Sequence, residues 1–303
     1  MLVLLTPWLL LFLLLVAVIL FFRKRIIYGG IIFVIVVILN TLFECIPVRL
    51  CPINKEYNSK CISVFCFNID AIKEGAEEKI PRIANLIKQY NPDLIFLSEY
   101  REKDYKLLGS CLSEIYPYST NIRNIGHGFF SKYPLTSQQI LKDNDNDIGI
   151  YSTILSIGKN TVYVFGCHLA SNNFTKDRNY LPPKNIDDLH SFFAYLKNIS
   201  LASKKREGEC ELLIEKLKNR KPTIVMGDFN DIAGSSALNL LKDAELVDGW
   251  WNGGVGYGPT IHSPLPYRID HIMFSKEITL KKIQVVPNGN FSDHDALYAV
   301  VEL

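Results

Sequence analysis

The stretch Pro222-Thr223-Ile224-Val225-Met226-Gly227-Asp228-Phe229-Asn230-Asp231 reads as a buried strand that ends in a polar turn. Pro222 to Met226 form a short apolar run bounded by turn residues, the pattern of a strand covered on both faces. Asp228 and Asn230 lie two apart, so on an extended segment both side chains face the same way. Taken alone, such a segment is equally an Asx-type turn after a strand. Three further segments repeat the pattern: Cys66-Phe67-Asn68-Ile69-Asp70, Leu97-Ser98-Glu99 and Phe291-Ser292-Asp293-His294. Each follows or joins an apolar run and delivers carboxylates, amides or a histidine at its end. Oxygen-rich clusters of this kind suit a hard cation such as Mg²⁺, and a histidine among them suits proton handling. That combination is the chemistry of phosphate-ester hydrolysis.

Outward from these segments, the spacing predicts strand–helix–strand over 61–97. Cys61 to Phe67 form one strand and Leu94 to Leu97 another. Between them, Glu77 to Tyr90 place Ile80, Ile83, Ala84 and Ile87 on one helical face, and Asn91-Pro92-Asp93 closes the helix. This unit brings Asn68 and Glu99 to one sheet edge. Short strand-like runs follow near 115–118, 127–131, 150–157 and 161–167, with a hairpin turn over Ser156–Thr161. Asn172 to Lys184 read as a polar, proline-bearing loop. Ile186 to Leu217 are helical in pattern, with Leu189, Phe192, Phe193 and Leu196 on one face, as one kinked helix or two. The Lys204-Lys205-Arg206 cluster within it reads as a solvated face. A helix is expected over Ser235–Asp243, an ordered loop over Trp250–Pro266, and strands near 267–274, 279–287 and 296–302. Two blocks of strands with few helices between them imply two packed sheets with helices outside.

Much of the 48% hydrophobic content lies at the N-terminus. Met1 to Phe22 carry no charge; Arg23-Lys24-Arg25 follows, then a second apolar run to about Cys45 broken by Asn40 and Glu44. Each run is roughly 20 residues, the length of a membrane-spanning helix. A cleaved signal peptide fits less well, because the basic cluster follows the apolar run instead of preceding it and no small-x-small site closes it. The division expected is therefore two transmembrane helices over 1–46, a linker over 47–60 and one catalytic domain over 61–303. With Arg23-Lys24-Arg25 retained in the cytoplasm, the chain crosses back, and the domain lies on the extracytoplasmic side of an inner or plasma membrane.

Three of the 33 basic and one of the 31 acidic residues lie in 1–46, so the remainder carries 30 of each and is close to neutral. Non-specific nucleic-acid binders show a basic excess, which disfavours that class without removing it. The seven cysteines contain no CxxC pair, so a zinc site is not expected. Cys66 and Cys167 read as core residues. Cys51 and Cys61 can pair in an oxidising compartment.

Taken in order, Asn68, Glu99, Gly227-Asp228-Phe229-Asn230, Asp270 and Ser292-Asp293-His294 resemble the endonuclease/exonuclease/phosphatase superfamily, which includes deoxyribonuclease I, AP endonucleases, inositol polyphosphate 5-phosphatases and neutral sphingomyelinases. The match covers about 61–303. It implies an α/β fold, a four-layer sandwich of two packed mixed β-sheets, here preceded by the N-terminal transmembrane helical hairpin. By resemblance Glu99 is the principal Mg²⁺ ligand (Mn²⁺ being the alternative ion), and Asn68, Asp70 and Asp293 complete the metal site. Asp228 positions or deprotonates the attacking water, Asn230 donates to the phosphoryl oxygens, and Asp270 holds His294 in one tautomer. His168, in Gly166-Cys167-His168-Leu169-Ala170-Ser171, matches the histidine of the nuclease, 5-phosphatase and sphingomyelinase branches, where AP endonucleases carry tyrosine. Arg268-Ile269-Asp270-His271 resembles the Arg-Ile-Asp-Tyr of some sphingomyelinase-like members; Arg268 binds phosphate or pairs with a carboxylate, and His271 reads as structural. Gly126 to Leu135 read as a structural strand and turn. Cys167 lies inside an apolar strand, so no covalent route is expected.

These readings predict a membrane-tethered Mg²⁺-dependent phosphodiesterase or phosphatase, with lipid head groups as a possible substrate. The alternatives are a membrane-anchored extracytoplasmic nuclease on DNA or RNA, and a degenerate binding module. No obligate protein partner is evident in the sequence.

Overall fold

The computed structural model describes residues 2–58, 60–70, 75–121, 126–143, 149–172, 189–262 and 265–303. The chain starts with two helices, α1 (Leu2–Phe22) and α2 (Ile26–Phe43), packed as a hairpin around the Arg23-Lys24-Arg25 turn. Stretches of 19 and 18 residues within them are apolar and long enough to cross a membrane, and a signal sequence meets the same test. Glu44 leaves α2 in the left-handed region, and the Asn40 side chain bridges both ways to the Ile46 backbone, which closes the turn. The next segment lies along the domain. Ile53 N–H donates to Gly253 O and Lys55 N–H to Lys281 O.

The body of the chain is a succession of strands and amphipathic helices. First come β1 (Cys61–Asn68), α3 (Ala76–Tyr90), β2 (Leu94–Ser98), α4 (Glu102–Leu112), β3 (Tyr118–Asn121) and β4 (Gly128–Ser131). Then follow β5 (Leu135–Asp143), β6 (Gly149–Ile157), β7 (Asn160–His168), α5 (Leu189–Leu217), β8 (Thr223–Asp228) and α6 (Ser236–Asp243). The chain ends with β9 (Leu246–Asp248), the short α7 (Gly249–Gly253), β10 (Asp270–Ser275), β11 (Thr279–Val286) and β12 (Ala296–Glu302). Among the described residues these form two six-stranded sheets, ordered β11-β12-β1-β2-β4-β3 and β5-β6-β7-β8-β10-β9. Only β1–β2 and β7–β8 are parallel pairs, so both sheets are mixed.

Alternation along each central strand builds the layers. Val64, Cys66 and Phe96 point inward and meet Val164, Met226, Ile272 and Phe274 of the other sheet. Phe65, Phe67, Ile95 and Leu97 point outward onto Ile80, Ile83 and Ile87 of α3 and Leu108 and Leu112 of α4. On the opposite outer face, Phe165, Cys167 and Val225 meet Cys210 and Leu213 of α5 and Leu238 and Leu241 of α6. The result is the expected four-layer α/β sandwich. The central strands read as continuous apolar runs because both of their faces are covered.

Local chemistry sets several boundaries. Ser235 caps α6 by accepting the Leu238 N–H, and Asp248 caps α7 by accepting the Trp250 and Trp251 N–H groups. Gly227 holds φ at 138°, and a Cβ there would collide with the Cys167 carbonyl of the parallel neighbour. The backbone immediately before Asp228 therefore requires glycine.

The structure departs from the sequence expectations in four places. The two blocks of strands are not segregated, since β11 and β12 return to pair beside β1 in the first sheet. Over 115–118 only Tyr118 is strand; α4, whose Leu108 and Leu112 face the core, occupies most of the preceding segment. The loop expected over Trp250–Pro266 begins inside α7. Most of the loop expected over Asn172–Lys184 lies outside the described residues, as do the side chains of Leu189, Phe192 and Phe193; α5 is a single helix from Leu189 to Leu217.

The fourth departure is a correction at Arg206. Lys204 and Lys205 are exposed as expected of a solvated face, but Arg206 is 1% exposed. Its Nε donates to Asp231 at 2.8 Å, and its Nη1 donates to Ala170 O at 2.8 Å and Asn172 Oδ1 at 3.0 Å. Glu209, one turn on, accepts the Ala170 N–H at 2.9 Å. The cluster was misread because a buried arginine needs an acid from a distant segment, and linear spacing does not reveal it. Removing one partner of a buried pair leaves the other charge uncompensated. Arg206→Ala should destabilise the chain by about 3–5 kcal/mol, whereas Lys204→Ala should stay within about 0.5 kcal/mol. Thermal melting of the two variants checks the contrast.

Candidate active site

Strand register gathers the site at one edge of the sandwich. Asn68 pairs with Ser98 at the ends of β1 and β2, which places Glu99 next to Asn68. In the other sheet His168 is opposite Asp228 across β7 and β8, and Asp270 is opposite Asp228 across β10 and β8. His294 arrives on the loop before β12. Its N–H donates to Ser292 Oγ, whose hydroxyl donates to Asn68 O at 2.7 Å.

Asp228 is the centre of the cluster. It is 1% exposed, and its Oδ2 accepts from Asn68 Nδ2 at 3.0 Å. The same oxygen lies 3.7 Å from His168 Nε2 and 3.8 Å from His294 Nε2. Asn68 Nδ2 also reaches Glu99 Oε1 at 3.1 Å, and His168 Nε2 lies 3.3 Å from that oxygen. His294 Nδ1 contacts Asp270 Oδ2 at 2.8 Å, the orienting contact the sequence reading expects. Three hydrogen bonds to Thr260 support this pair from outside. Thr260 Oγ1 accepts the Ile269 and Asp270 N–H groups, and Asp295 N–H donates to Thr260 O at 2.6 Å.

Burial and charge oppose one another here. Burial would lower the pKa of His294, but Asp270 and Asp228 outweigh it and push the imidazole up to about 10. Burial likewise opposes protonation of His168, and Glu99 and Asp228 reverse it, leaving the pKa raised. For Asp228 burial dominates and raises the pKa, with Asp270 adding to it and the two histidines opposing it.

Asn68, Glu99, His168, Asp228, Asp270 and His294 are thus in mutual contact or one residue removed from it. Asn230 stands at the edge: its N–H donates to Asp228 Oδ1 at 2.8 Å, and its Nδ2 donates to Leu169 O at 2.9 Å. One amide hydrogen of Asn230 is therefore engaged and the other remains for a ligand. Asp70 is exposed at the rim, with its N–H donating to Asn68 Oδ1. Asp293 is half-exposed, with Oδ1 3.9 Å from His294 Nε2. Asp70, Glu99 and Asn230 have φ of 48°, 54° and 50°. Left-handed backbone in non-glycine residues is costly and concentrates at working sites. Glu99 directly follows β2, and Asp70 and Asn230 lie two residues past the ends of β1 and β8.

The donor set fits a divalent cation. Glu99, His168 and Asp228 offer ligand atoms within 4.8 Å of one another, and Asp228, Asp270 and His294 do the same. The side chain of Glu99 is 23% exposed and opens the first group to solvent. Three carboxylates against two imidazoles also favour added positive charge.

Arg268 does not face this cluster. It is 1% exposed and pairs with Asp248 at 3.0 Å, the second of its two expected roles. His271 is structural, lying between Asp248, Arg268 and the Asp231 carbonyl. The arginine and His271 together hold the Asp248 carboxyl far below its ordinary range against the effect of its burial. His127 was read only as part of a structural strand. It is 1% exposed with its ring 5.0 Å from that of His168, and burial, with His168 adding to it, drives its pKa well below 6.5. A neutral second imidazole thus backs the site histidine, and no spacing signal marks it. Thr260, which braces Asp270, is likewise invisible in sequence because it acts through long-range backbone contacts.

Residues 66–294 match the Endonuclease/Exonuclease/phosphatase family, and the chain belongs to that family. It is thereby a metal-dependent hydrolase of phosphate esters. The fold is shared with solved structures at low identity. A humanized TDP2 from D. rerio has TM-score 0.63 and 16% identity, covering 81% of this chain and 100% of that one. An endonuclease/exonuclease/phosphatase from Beutenbergia cavernae has TM-score 0.61 and 15% identity, covering 80% and 72%. Sphingomyelinase C from Streptomyces griseocarneus has TM-score 0.56 and 16% identity, covering 79% and 99%. Among curated proteins none matches the sequence.

The His294–Asp270 pair has a measurable signature. A histidine whose pKa is raised on folding adds stability that is fully present below about pH 6.5 and is lost as pH rises through about 10. In metal-free protein, the His294 ring resonances should titrate near the upper value. In Asp270→Asn the midpoint should fall towards the ordinary value, and turnover should drop by at least about 10²-fold as the oriented cationic donor is lost. An unchanged NMR midpoint in Asp270→Asn would contradict the assignment.

Proposed function

We propose that the chain is a membrane-tethered, Mg²⁺-dependent phosphodiesterase or phosphatase that acts on phosphoester head groups at a bilayer surface. The observation that carries the chemistry is Asp228, buried beneath two imidazoles and an amide beside the open Glu99 carboxylate. The tether rests on the two apolar helices, and the division into anchor over 1–46, linker over 47–60 and catalytic part over 61–303 follows from them. The same reading places the catalytic part on the extracytoplasmic side, from the basic turn between the helices.

In this reading Glu99 holds the cation, with Asn68 beside it and Asp70 and Asp293 at the rim. When bound, the ion supplies positive charge to the phosphoryl and leaving oxygens. The remaining work falls to the chain's own groups. Asp228 orients a water for in-line attack and takes its proton, for which a carboxyl with a raised pKa is well suited. Asn230 offers its remaining amide hydrogen to a phosphoryl oxygen. His168, whose Nε2 faces the site, stabilises charge that develops on the phosphoryl group. His294, protonated by virtue of its carboxylate partners, adds a second cationic donor at the same phosphate, and Asp270 keeps its ring in register. Cys167 stays out of the reaction, since its burial pushes the thiol pKa well up.

A nuclease is the second reading, and one solved neighbour of the same fold, a TDP2 from D. rerio, is complexed with a single-strand DNA product. Against it stands the balanced charge of residues 47–303.

Full-length protein assayed with bis(p-nitrophenyl) phosphate should require a divalent cation and lose activity to a chelator. Glu99→Ala should reduce turnover by at least about 10²-fold and weaken Mn²⁺ binding in calorimetry. Equal turnover in the variant would refute the site. A single-stranded oligonucleotide cleaved faster than any lipid, with affinity falling steeply as salt rises, would favour the nuclease.

A further inference from the structure

The hairpin does not merely precede the catalytic part; its far end is docked on it. The Trp8 ring meets the Tyr267 ring edge-on at 6.3 Å. Phe43 backs onto Gly234, where a Cβ would come within 3.0 Å of the Phe43 Cα. Glu44 pairs with Lys242 at 2.8 Å. Thr6, Leu10 and Asn40 are buried, while most side chains elsewhere in both helices are exposed.

Both contacted loops belong to the active site. Gly234 follows Asn230 by four residues on the loop leaving β8. Tyr267 exchanges two backbone hydrogen bonds with Ile261 at 2.9 Å, and Ile261 bridges to His294. The hairpin end therefore supports the two walls that carry Asp228 and Asn230 on one side and Asp270 and His294 on the other.

Length then fixes the distance to the bilayer. Spans of 19 and 18 residues are about 27–28 Å long, close to the thickness of the hydrocarbon layer, which leaves no helical spacer. Trp8 lies about 6 Å from the outer end of its span at 1.5 Å per residue. The segment after the hairpin has no slack either, because Ile53 and Lys55 are hydrogen-bonded to the domain. Tyrosine and tryptophan favour this interfacial depth. The neighbouring surface adds apolar groups that water would not select together, with Val48 90%, Leu50 102% and Leu265 44% exposed. Arg49, between the first two, provides a cation for lipid phosphates.

We infer that the docked hairpin end is a built-in seat: it lays the loop segments around Gly234 and Tyr267 on the bilayer surface, so the active site is entered from the leaflet in which the chain stands. This rests on the hairpin reading given under the proposed function and adds a fixed geometry to it. A loosely tethered enzyme would reach soluble esters and neighbouring membranes alike; a seated one is confined to phosphates in its own leaflet.

The test uses the full chain reconstituted in vesicles of phosphatidylcholine, phosphatidylglycerol and sphingomyelin. One readout is independent of turnover. Leu265→Cys, in a background where the accessible Cys51, Cys61 and Cys111 are replaced by serine, carries an environment-sensitive fluorophore, and lipids spin-labelled near the head group should quench it. Emission typical of water with no quenching overturns the seat, whatever the enzyme hydrolyses. The second readout compares labelled lipid in the protein's own vesicles with the same lipid in added protein-free vesicles. A rate at least about tenfold higher on the former is expected from confinement, and equal rates overturn the inference. Leu50→Glu, at a fully exposed side chain outside the site walls, should lower the own-vesicle rate several-fold while bis(p-nitrophenyl) phosphate turnover stays within twofold; an unchanged own-vesicle rate counts against the seat. Quenching without turnover of any phosphate ester would refute the hydrolase reading and leave the seat standing.

Discussion

A carboxylate buried at a strand end is the constraint on which the site depends. Asp228 has almost no contact with solvent, and an ionised acid in that position requires compensation. Asn68 supplies it from the first sheet, His168 from the neighbouring strand β7, and His294 from the loop before β12. The two sheets are therefore joined at this edge by polar contacts as well as by the apolar layer between them. Each imidazole is itself oriented by another acid, Glu99 for His168 and Asp270 for His294. An oxygen-rich cluster with more carboxylates than imidazoles results, and its donor set fits an added cation. Folding and catalysis thus make use of the same unbalanced charge.

Behind this edge runs a second polar layer that holds no reacting group. Arg206 ties α5 to Asp231 and to the Ala170–Asn172 segment that leaves β7. His271 joins the Asp231 carbonyl to Asp248, and Arg268 completes the pairing of Asp248. Arg206, Asp231, Asp248, Arg268 and His271 are all buried, so pairing within the network is the condition for its stability. The network fixes the backbone on both sides of Asp228 and Asn230, which allows Asn230 to keep a left-handed conformation. A half-satisfied network would let that loop relax and lose the register of the amide.

The sequence made some of this legible and concealed the rest for physical reasons. The central strands were readable because both their faces are buried, which writes them as apolar runs ending abruptly in polar residues. Asn68, Glu99, His168 and Asp228 stood out because they end such runs; His294 was marked by its segment before the last strand, and Asp270, the first residue of β10, only by the family resemblance. The pairing of β11 and β12 beside β1 was not readable, since strand order is decided by contacts far apart in sequence. α4 was missed because a short helix with few apolar positions gives a weak periodic signal. Arg206 was misassigned and Arg268 left open for one reason: a lone arginine in a linear string carries no mark of its acid. His127 and Thr260 act through packing and backbone acceptance, which leave no motif at all.

The hairpin gives the same lesson at larger scale. Composition shows two apolar helices but not which way their ends face. Packing shows it: Trp8, Phe43 and Glu44 converge on Tyr267, Gly234 and Lys242. Tyr267 and Gly234 lie on segments that lead to site residues, while Lys242 sits in the last turn of α6, so the position of the hairpin and the position of the site are coupled. A longer helix or a free linker would have uncoupled them. In the proposed bilayer setting, spans no longer than the hydrocarbon layer would make its thickness a determinant of where a phosphate lies relative to Asp228.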